Sequence, residues 1–295
     1  MPNITGHTEL VGLMAYPIRH TQSPTTHNLA YDKNGDDVIQ LAFEVDNDSL
    51  EAAVNSIRAL KMLGSNISMP NKTVVHKYLE EVDEAAQLCG AINTVVNTRD
   101  ENGQVTGKLK GYNTDGMGYW QAINEEGIDY TGMKMVLIGT GGAATAIAVY
   151  GALHGISEMH VFNIKDKFYG RGEEIVATIN EKTNCKAYMH DLADLDLLKE
   201  KMHEADLFCD ATGVGMHPLE DLSNIPDPSF FRPDLIVTDT VYAPRETVMM
   251  KQAREAGCQK VYNGLGMMLF QALIAIKLYT GKDTDVAYMK EQLGI

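Results

Sequence analysis

The sequence predicts an α/β protein built in two parts, and three observations carry that expectation. Lys134–Thr145 is an apolar run that breaks into a glycine-rich turn and leads straight into a helix of small residues. Downstream of it, short apolar segments of strand length alternate with segments of helical period, the pattern of a doubly wound parallel sheet. Upstream of it, strand and helix patterns also alternate and end in a hairpin, and the hinge-like stretch Gly111–Gly116 sets this part off as a domain of its own.

In chain order, Glu9–Met14 reads as a first strand, followed by the loop Tyr16-Pro-Ile-Arg-His-Thr-Gln-Ser-Pro24. Ser23 before Pro24 reads as a helix start, Ser as the cap and Pro at the first helical position, with the helix stopping near Asn34-Gly35. Val38–Val45 alternates as a strand, Asp46–Asp48 supplies a cap, and Leu50–Leu63 is an amphipathic helix ending at Gly64. Ser65–Ser68 is a short strand, and Met69-Pro-Asn-Lys72 leads into a helix running through Tyr78. Asp83–Leu88 is a further short helix ended by Gly90. Ala91–Thr98 and Val105–Lys110 form a hairpin whose turn holds Asn102-Gly103, and Gly111–Gly116 reads as a hinge before a helix to Glu126.

The second part opens with Met135–Ile138, a continuous apolar run suited to a parallel strand buried on both faces. Gly139, Gly141 and Ala144 then match G-x-G-x-x-(G/A): a tight turn, a backbone that a pyrophosphate can approach, and a small residue where helix packs on strand. Ala144–Leu153 is the helix, with Gly155 as its cap, and Met159–Ile164 the second strand of a βαβ unit. The preceding strand, the following helix and the second strand raise a glycine triplet, otherwise a mark of ordinary turns, to a dinucleotide signature. Further strands fall near 185–189, 207–211, 235–239 and 260–262, with helices such as Glu173–Lys182 and Leu195–Glu204 between them. An apolar helix, Met267–Tyr279, and a last one, Val286–Leu293 behind Asp283 or Asp285, are expected to return to the first domain.

With 295 residues the chain is long enough for two cores. Its 25 basic and 40 acidic residues leave a net charge of −15, which repels a nucleic-acid backbone and an anionic membrane alike. No run approaches the ~20 apolar residues of a bilayer span, and Met1–Leu10 lacks the basic start and apolar core of a signal peptide, so a cytoplasmic protein is expected. Cys89, Cys185, Cys209 and Cys258 are scattered, without Cys-x-x-Cys, and read as buried thiols; no histidine pair has metal spacing, and no metal is expected.

Three loops of the first half pair polar side chains with a helix start: Thr21 with Ser23, Ser68 with Lys72, and Asn113 with Asp115. Taken singly, Ser23 and Asp115 read as plain N-caps, Asn93 as a strand-end turn residue and Lys72 as a solvated amine. Beside a dinucleotide fold they suggest more, because an alcohol that loses hydride to a nicotinamide must also lose a proton, and a lysine near a carboxylate can take it.

The segments His20-Thr-Gln-Ser-Pro24, Asn66-Ile-Ser-Met-Pro-Asn-Lys72, Gly90-Ala-Ile-Asn-Thr94, Asn113-Thr-Asp-Gly116, Gly139-Thr-Gly-Gly-Ala143, Ala211-Thr-Gly-Val-Gly-Met216 and Gly264-Leu-Gly-Met267 with Gln271 stand in an order and spacing that resembles the shikimate dehydrogenase family over essentially the whole chain. The resemblance implies an N-terminal α/β substrate domain, 1–114 with 267–295, and a Rossmann-type NAD-binding domain, 115–266. It implies reversible oxidation of shikimate to 3-dehydroshikimate, with Lys72 as acid/base and Asp115 as its partner on the substrate hydroxyls. Thr21 and Ser23 would hold the substrate carboxylate, and Ser68, Asn93, Tyr242 and Gln271 would contact the ring substituents. The nucleotide would lie along Thr140, Gly141, Gly142 and Ala143, then Asn163, Ile164, Lys165 and Asp166, then Gly213, Thr240, Val241, Tyr242 and Ala243, with Gly264 near the nicotinamide.

Two departures stand out. Thr21 replaces the family's usual Ser, adding a methyl group. Ile164 stands where NADP-using members carry Arg, and Asp166 follows at a spot suited to the ribose hydroxyls. That resembles the quinate/shikimate branch and implies NAD as cofactor, with Lys165 and Lys167 keeping NADP open. A catalytically silent NAD-dependent regulator and a methylene-tetrahydrofolate dehydrogenase are the alternatives, disfavoured by the Lys72–Asp115 pair and by the Ser23 and Asn113–Gly116 motifs respectively. Oligomeric state stays open, a homodimer among the options.

Overall fold

The computed structural model describes residues 4–295, and the chain divides into two units, Met1–Gly118 with Leu269–Ile295, and Tyr119–Met268.

The first unit begins with β1 (Glu9–Ala15), α1 (Ser23–Asn34), β2 (Val38–Glu44), α2 (Leu50–Ala59) and β3 (Gly64–Ile67). Two short 3-10 turns, Asn71–Thr73 and Val75–Tyr78, precede β4 (Glu81–Val82), α3 (Glu84–Cys89), β5 (Thr94–Arg99), β6 (Val105–Tyr112) and α4 (Thr114–Glu125). Its six-stranded sheet runs β2-β1-β3-β5-β6-β4, with β1 parallel to both β2 and β3, and β5 antiparallel to β3 and β6. One face buries Met14, Leu50, Val54, Ile57, Ile67, Val95 and Leu109 in a common core.

Local expectation and structure part company in four places here. Ser23 is the first helical residue rather than the cap; Gln22 occupies the cap position, and no side chain caps the helix. Helix α2 stops at Ala59, four residues early, because Met62 and Leu63 are drawn into the core (2% and 1% exposed) and the Leu63 N–H donates to the Leu10 carbonyl at 2.9 Å. Gly64 is therefore no cap. It opens β3 with φ 158°, where a Cβ would collide with the Val95 carbonyl oxygen and the Tyr279 ring. The helix expected through Tyr78 is instead two 3-10 turns, since the Lys72 carbonyl leaves any helical ladder to accept the Ile92 N–H at 2.8 Å. The stretch Gly111–Gly116 is largely regular, since β6 runs two residues past the expected Lys110 to Tyr112 and α4 starts at Thr114.

The second unit carries β7 (Lys134–Ile138), α5 (Gly142–His154), β8 (Glu158–Asn163), α6 (Tyr169–Lys182), β9 (Lys186–Asp191), α7 (Leu195–Glu204), β10 (Leu207–Asp210), β11 (Ile236–Asp239), α8 (Val248–Glu255) and β12 (Val261–Tyr262). Its sheet, β12-β11-β10-β7-β8-β9, is parallel throughout and reverses direction of winding beside β7, as a doubly wound fold requires. Val136, Ile138, Phe162, Leu198, Phe208 and Val237 lie in one of its cores. Gly151 lets the Trp120 ring lie against α5, with its indole N–H donating to the Ile147 carbonyl at 2.9 Å.

The chain ends with α9 (Leu265–Thr280) and α10 (Val286–Leu293), the latter capped by Asp285, whose side chain accepts the Tyr288 N–H. The division between units falls inside α4 and inside α9. All four cysteines are buried and outside any disulfide, and among the described residues no helix is long and apolar enough to cross a membrane.

Candidate active site

Strand direction gathers the polar residues of the first unit along one edge of its sheet. Parallel β1 and β3 both end there, antiparallel β5 begins there, and β6 ends there. Thr21 and Ser23 follow β1, Ser68 and Lys72 follow β3, Asn93 precedes β5, and Asn113 and Asp115 follow β6. The loops after β1 and β3 are tied together: the Ser68 N–H donates to the Met14 carbonyl at 3.0 Å and the Tyr16 N–H to the Met69 carbonyl at 3.1 Å. Thr21 and Ser23 are half-buried, and Thr21 Oγ1 accepts the Ser23 N–H at 3.2 Å.

At the centre of this edge Lys72 Nζ stands 2.8 Å from Asp115 Oδ2, both side chains about three-quarters buried. Asp115 Oδ1 accepts from Asn93 Nδ2 at 2.9 Å. The cap of α4 is Asn113, whose Oδ1 accepts the Asp115 and Gly116 N–H groups at 3.1 and 3.4 Å. Asp115 is thereby free of any capping duty, and its carboxylate sits in the first helical turn, where the helix dipole favours negative charge. An ammonium held on a fixed carboxylate beside an open loop edge is equipped to exchange a proton with a hydroxyl. Gln271 on α9 comes close to α4 at Gly118, where any Cβ would strike the Gln271 backbone. A cavity of about 420 Å³ also opens at Lys72, lined by His76, Val82, Ala86, Gln87 and Ile92 among others, and it shares only Lys72 with the expected substrate residues.

Thr114 was not singled out by sequence, yet it is fully buried, donates its N–H to Asn93 Oδ1 at 2.8 Å and accepts Asn93 Nδ2 at 2.9 Å. The signal lay in the Asn113-Thr-Asp motif, where only the flanking residues drew notice.

In the second unit the expected nucleotide residues stand at or just after the carboxyl ends of parallel strands, the edge at which open α/β sheets bind ligands. Gly139 turns with φ 112°. Gly141 and Gly142 are exposed, with nothing within 4 Å of where a Cβ would stand, and no side chain caps α5, so the helix N-terminus offers free N–H groups to a pyrophosphate. These residues fit a dinucleotide. Thr140 is buried and its hydroxyl donates to the Phe168 carbonyl at 3.3 Å, joining this turn to the loop after β8. In that loop Asp166 Oδ1 accepts the Phe168 N–H at 2.9 Å and Asn163 Nδ2 at 3.3 Å, while Ile164 is 57% exposed. Lys165 pairs with Asp191 at 3.2 Å, and Lys167 lies 5.0 Å from the centre of the Phe168 ring. Gly213 is open, Gly264 packs against the Thr240 carbonyl and donates its N–H to Val241 at 2.9 Å, and Tyr242 and Ala243 are exposed.

Two buried carboxyls at the ends of β10 and β11 escaped the sequence reading, although each directly precedes a segment that it singled out, Ala211–Met216 and Thr240–Ala243. Asp210 and Asp239 face each other in register. Burial, and Asp210 beside it, push the Asp239 carboxyl up to about 7, and burial raises Asp210 as well. Each is held at the strand end: Asp210 by Thr212 and Asn224, Asp239 by the Val241 N–H and the Thr247 hydroxyl.

Comparison with known proteins adds to this geometry. The profile of the shikimate dehydrogenase substrate binding domain matches residues 13–95. The shikimate dehydrogenase (NADP(+)) of Listeria innocua serovar 6a is 49% identical over 290 residues, 98% of this chain and 97% of that protein. The quinate/shikimate dehydrogenase of Escherichia coli SMS-3-5 is 45% identical over 292 residues, 99% of each chain. The crystal structure of shikimate 5-dehydrogenase from Listeria monocytogenes in complex with shikimate and NAD superposes with a TM-score of 0.94 at 48% identity, covering 99% of both chains.

Proposed function

The chain belongs to the shikimate dehydrogenase family, and on that premise we propose that it oxidises shikimate to 3-dehydroshikimate reversibly, quinate to 3-dehydroquinate as well, with NAD preferred to NADP. The observation that carries the reading is the 2.8 Å pairing of Lys72 with Asp115 on the edge where Thr21, Ser23, Ser68 and Asn93 also stand. When bound, the nicotinamide supplies the hydride acceptor. Lys72, as the free amine, takes the proton from the reacting hydroxyl as its carbon gives up hydride, and returns that proton in the reverse direction. Asp115 accepts a hydrogen bond from the substrate and keeps the ammonium of Lys72 in place. Thr21 and Ser23 hold the carboxylate with neutral donors, and Ser68, Asn93, Tyr242 and Gln271 contact the ring substituents. A silent regulator on this fold has no need of the Lys72–Asp115 pair.

The nucleotide lies along Thr140–Ala143, Asn163–Asp166, Gly213, Thr240–Ala243 and Gly264. NAD is preferred for three reasons in one loop. Ile164 offers no cation to a 2′-phosphate, Asp166 sets a like charge against it, and Lys165 is engaged by Asp191. Both cofactors occur in the family, since the Listeria innocua relative is named for NADP(+) and the Listeria monocytogenes structure holds NAD.

The test is kcat/KM for shikimate and for quinate with each cofactor. NAD is expected to exceed NADP, and Ile164→Arg with Asp166→Ala to shift the ratio toward NADP by removing a repulsive group and adding an attractive one. Equal constants, or an NADP preference in the unaltered enzyme, would overturn the cofactor assignment, and no turnover of shikimate with either would overturn the function.

A further inference from the structure

We propose that Gln40, four hydrogen bonds away from Asp115 along a buried chain of side chains, is a positioning residue for the reaction, because that chain holds the Asp115 carboxylate in line with Lys72. The proposal rests on the reading of Lys72 and Asp115 given above.

The register of the sheet places Gln40, Asn66 and Thr94 on one face: Val11 of β1 pairs with Gln40, Leu13 with Asn66, and Asn66 in turn with Thr94. Gln40 and Thr94 are fully buried and Asn66 is 7% exposed. Gln40 Nε2 donates to Asn66 Oδ1 at 2.8 Å, Asn66 Nδ2 to Thr94 Oγ1 at 3.3 Å, Thr94 Oγ1 to Asn93 Oδ1 at 3.0 Å, and Asn93 Nδ2 to Asp115 Oδ1 at 2.9 Å. Every link donates toward the carboxylate.

That direction is forced. Asn93 Oδ1 accepts the Thr114 backbone N–H at 2.8 Å, a donor that cannot turn, so the amide nitrogen of Asn93 must face Asp115. The Thr94 hydroxyl then meets an acceptor and must donate to it, with Asn66, Tyr279 and, at a weaker 3.4 Å, Thr114 Oγ1 as its other side-chain neighbours. Its lone pairs are left for Asn66 Nδ2, and Asn66 Oδ1 is left needing a donor, which Gln40 supplies. Gln40 is itself anchored through its backbone, whose N–H and carbonyl pair with the Asn28 side chain at 2.7 and 3.1 Å. In such a chain each donor polarises the next, and the charge at the end is what the sequence of amides and hydroxyl serves. An acceptor left without its donor in this interior costs more than the bond itself contributes, so loss of the first link loosens those after it.

Gln40→Met keeps the length of the side chain and removes the donor. It is expected to lower kcat for shikimate about three- to tenfold, with NAD(P) affinity unchanged. The same substitution in an Asp115→Asn background should have no further effect, because the acceptor that the chain aligns has already lost its charge. Thr94→Val breaks the chain nearer the carboxylate and should show the same dependence on background, which keeps the proposal testable if Gln40→Met does not fold. Equal proportional losses with and without the Asp115 carboxylate would show a merely structural role and overturn the proposal, as would an unchanged kcat in a folded Gln40→Met enzyme. If Asp115→Asn alone kept full turnover, the reading of the Lys72–Asp115 pair would fail first, and the proposal with it.

Discussion

Lys72 and Asp115 are separated by 43 positions in the chain and by 2.8 Å in space. With Asn113 serving as the cap of α4, the carboxylate of Asp115 is spent on no local structure, and the bland reading of it as an N-cap is excluded. The same holds for Ser23, which caps nothing. Under the proposed mechanism Lys72→Ala is expected to cut kcat for shikimate by about 10²–10⁴ while leaving shikimate affinity comparatively intact, since the amine would act on the proton in flight rather than on the bound ground state. Asp115→Asn should lose both turnover and affinity, because it would remove the proposed substrate contact together with the carboxylate that pairs with Lys72. Steady-state kinetics with isothermal titration of shikimate separates the two, and a Lys72→Ala enzyme of near-normal turnover would remove the lysine from the mechanism.

At the scale of elements, the ends of β10 and β11 set two buried carboxyls side by side, and the cost is borne by the protonation equilibrium. Asp239 rises from an ordinary 3.8 to about 7 in the folded protein, so the native state binds this proton more tightly than the unfolded chain does. Its contribution to stability is therefore fully present below the unfolded value and is lost as pH rises through the interval from about 4 to about 7. Asp239→Asn retains an acceptor for the Val241 N–H and carries no charge to bury. The variant should gain melting temperature relative to the native chain as pH is raised from 5 to 8, with the gap levelling off above about 7. Thermal melts across that range check it; a gap independent of pH would mean that Asp239 is not the group that titrates. Nothing in the local sequence announces this pair, because strand pairing across 29 positions, not a motif, brings Asp210 to Asp239.

For the whole molecule, the two units present two separate loop edges, and the proposed assignment of substrate to one and nucleotide to the other can be read without kinetics. Hydrogen exchange with shikimate alone is expected to protect backbone amides in Thr21–Ser23, Ser68–Lys72 and Asn113–Asp115. With NAD alone, protection should fall on Gly139–Ala143, Asn163–Asp166 and Thr240–Ala243. Protection by shikimate confined to the second set, or by NAD confined to the first, would reverse the assignment. The net charge of −15 bears on neither edge locally, but it argues against a polyanion as the natural occupant of either.

What the sequence determined by itself was whatever depends on short-range pattern. Apolar runs of strand length, Gly139 with Gly141 and Ala144, the helices α5, α6 and α7 and the placing of Thr21, Ser68, Lys72 and Asp115 at loops or helix starts were legible, because burial on both faces of a strand and left-handed glycine turns leave a mark within a few residues. The family resemblance sharpened these marks into residue roles. Tertiary structure alone decided where competing local signals were settled by distant partners. Helix α2 gave up its last turn to the core around Met62, the stretch after Lys72 became 3-10 turns because its carbonyl was claimed by Ile92, and the cap of α4 fell to Asn113. The chain from Gln40 to Asp115 belongs to the same class. Its links Gln40–Asn66, Asn66–Thr94 and Asn93–Asp115 join residues 26, 28 and 22 positions apart, and the strand register that brings them together is a property of the folded sheet that no single segment encodes.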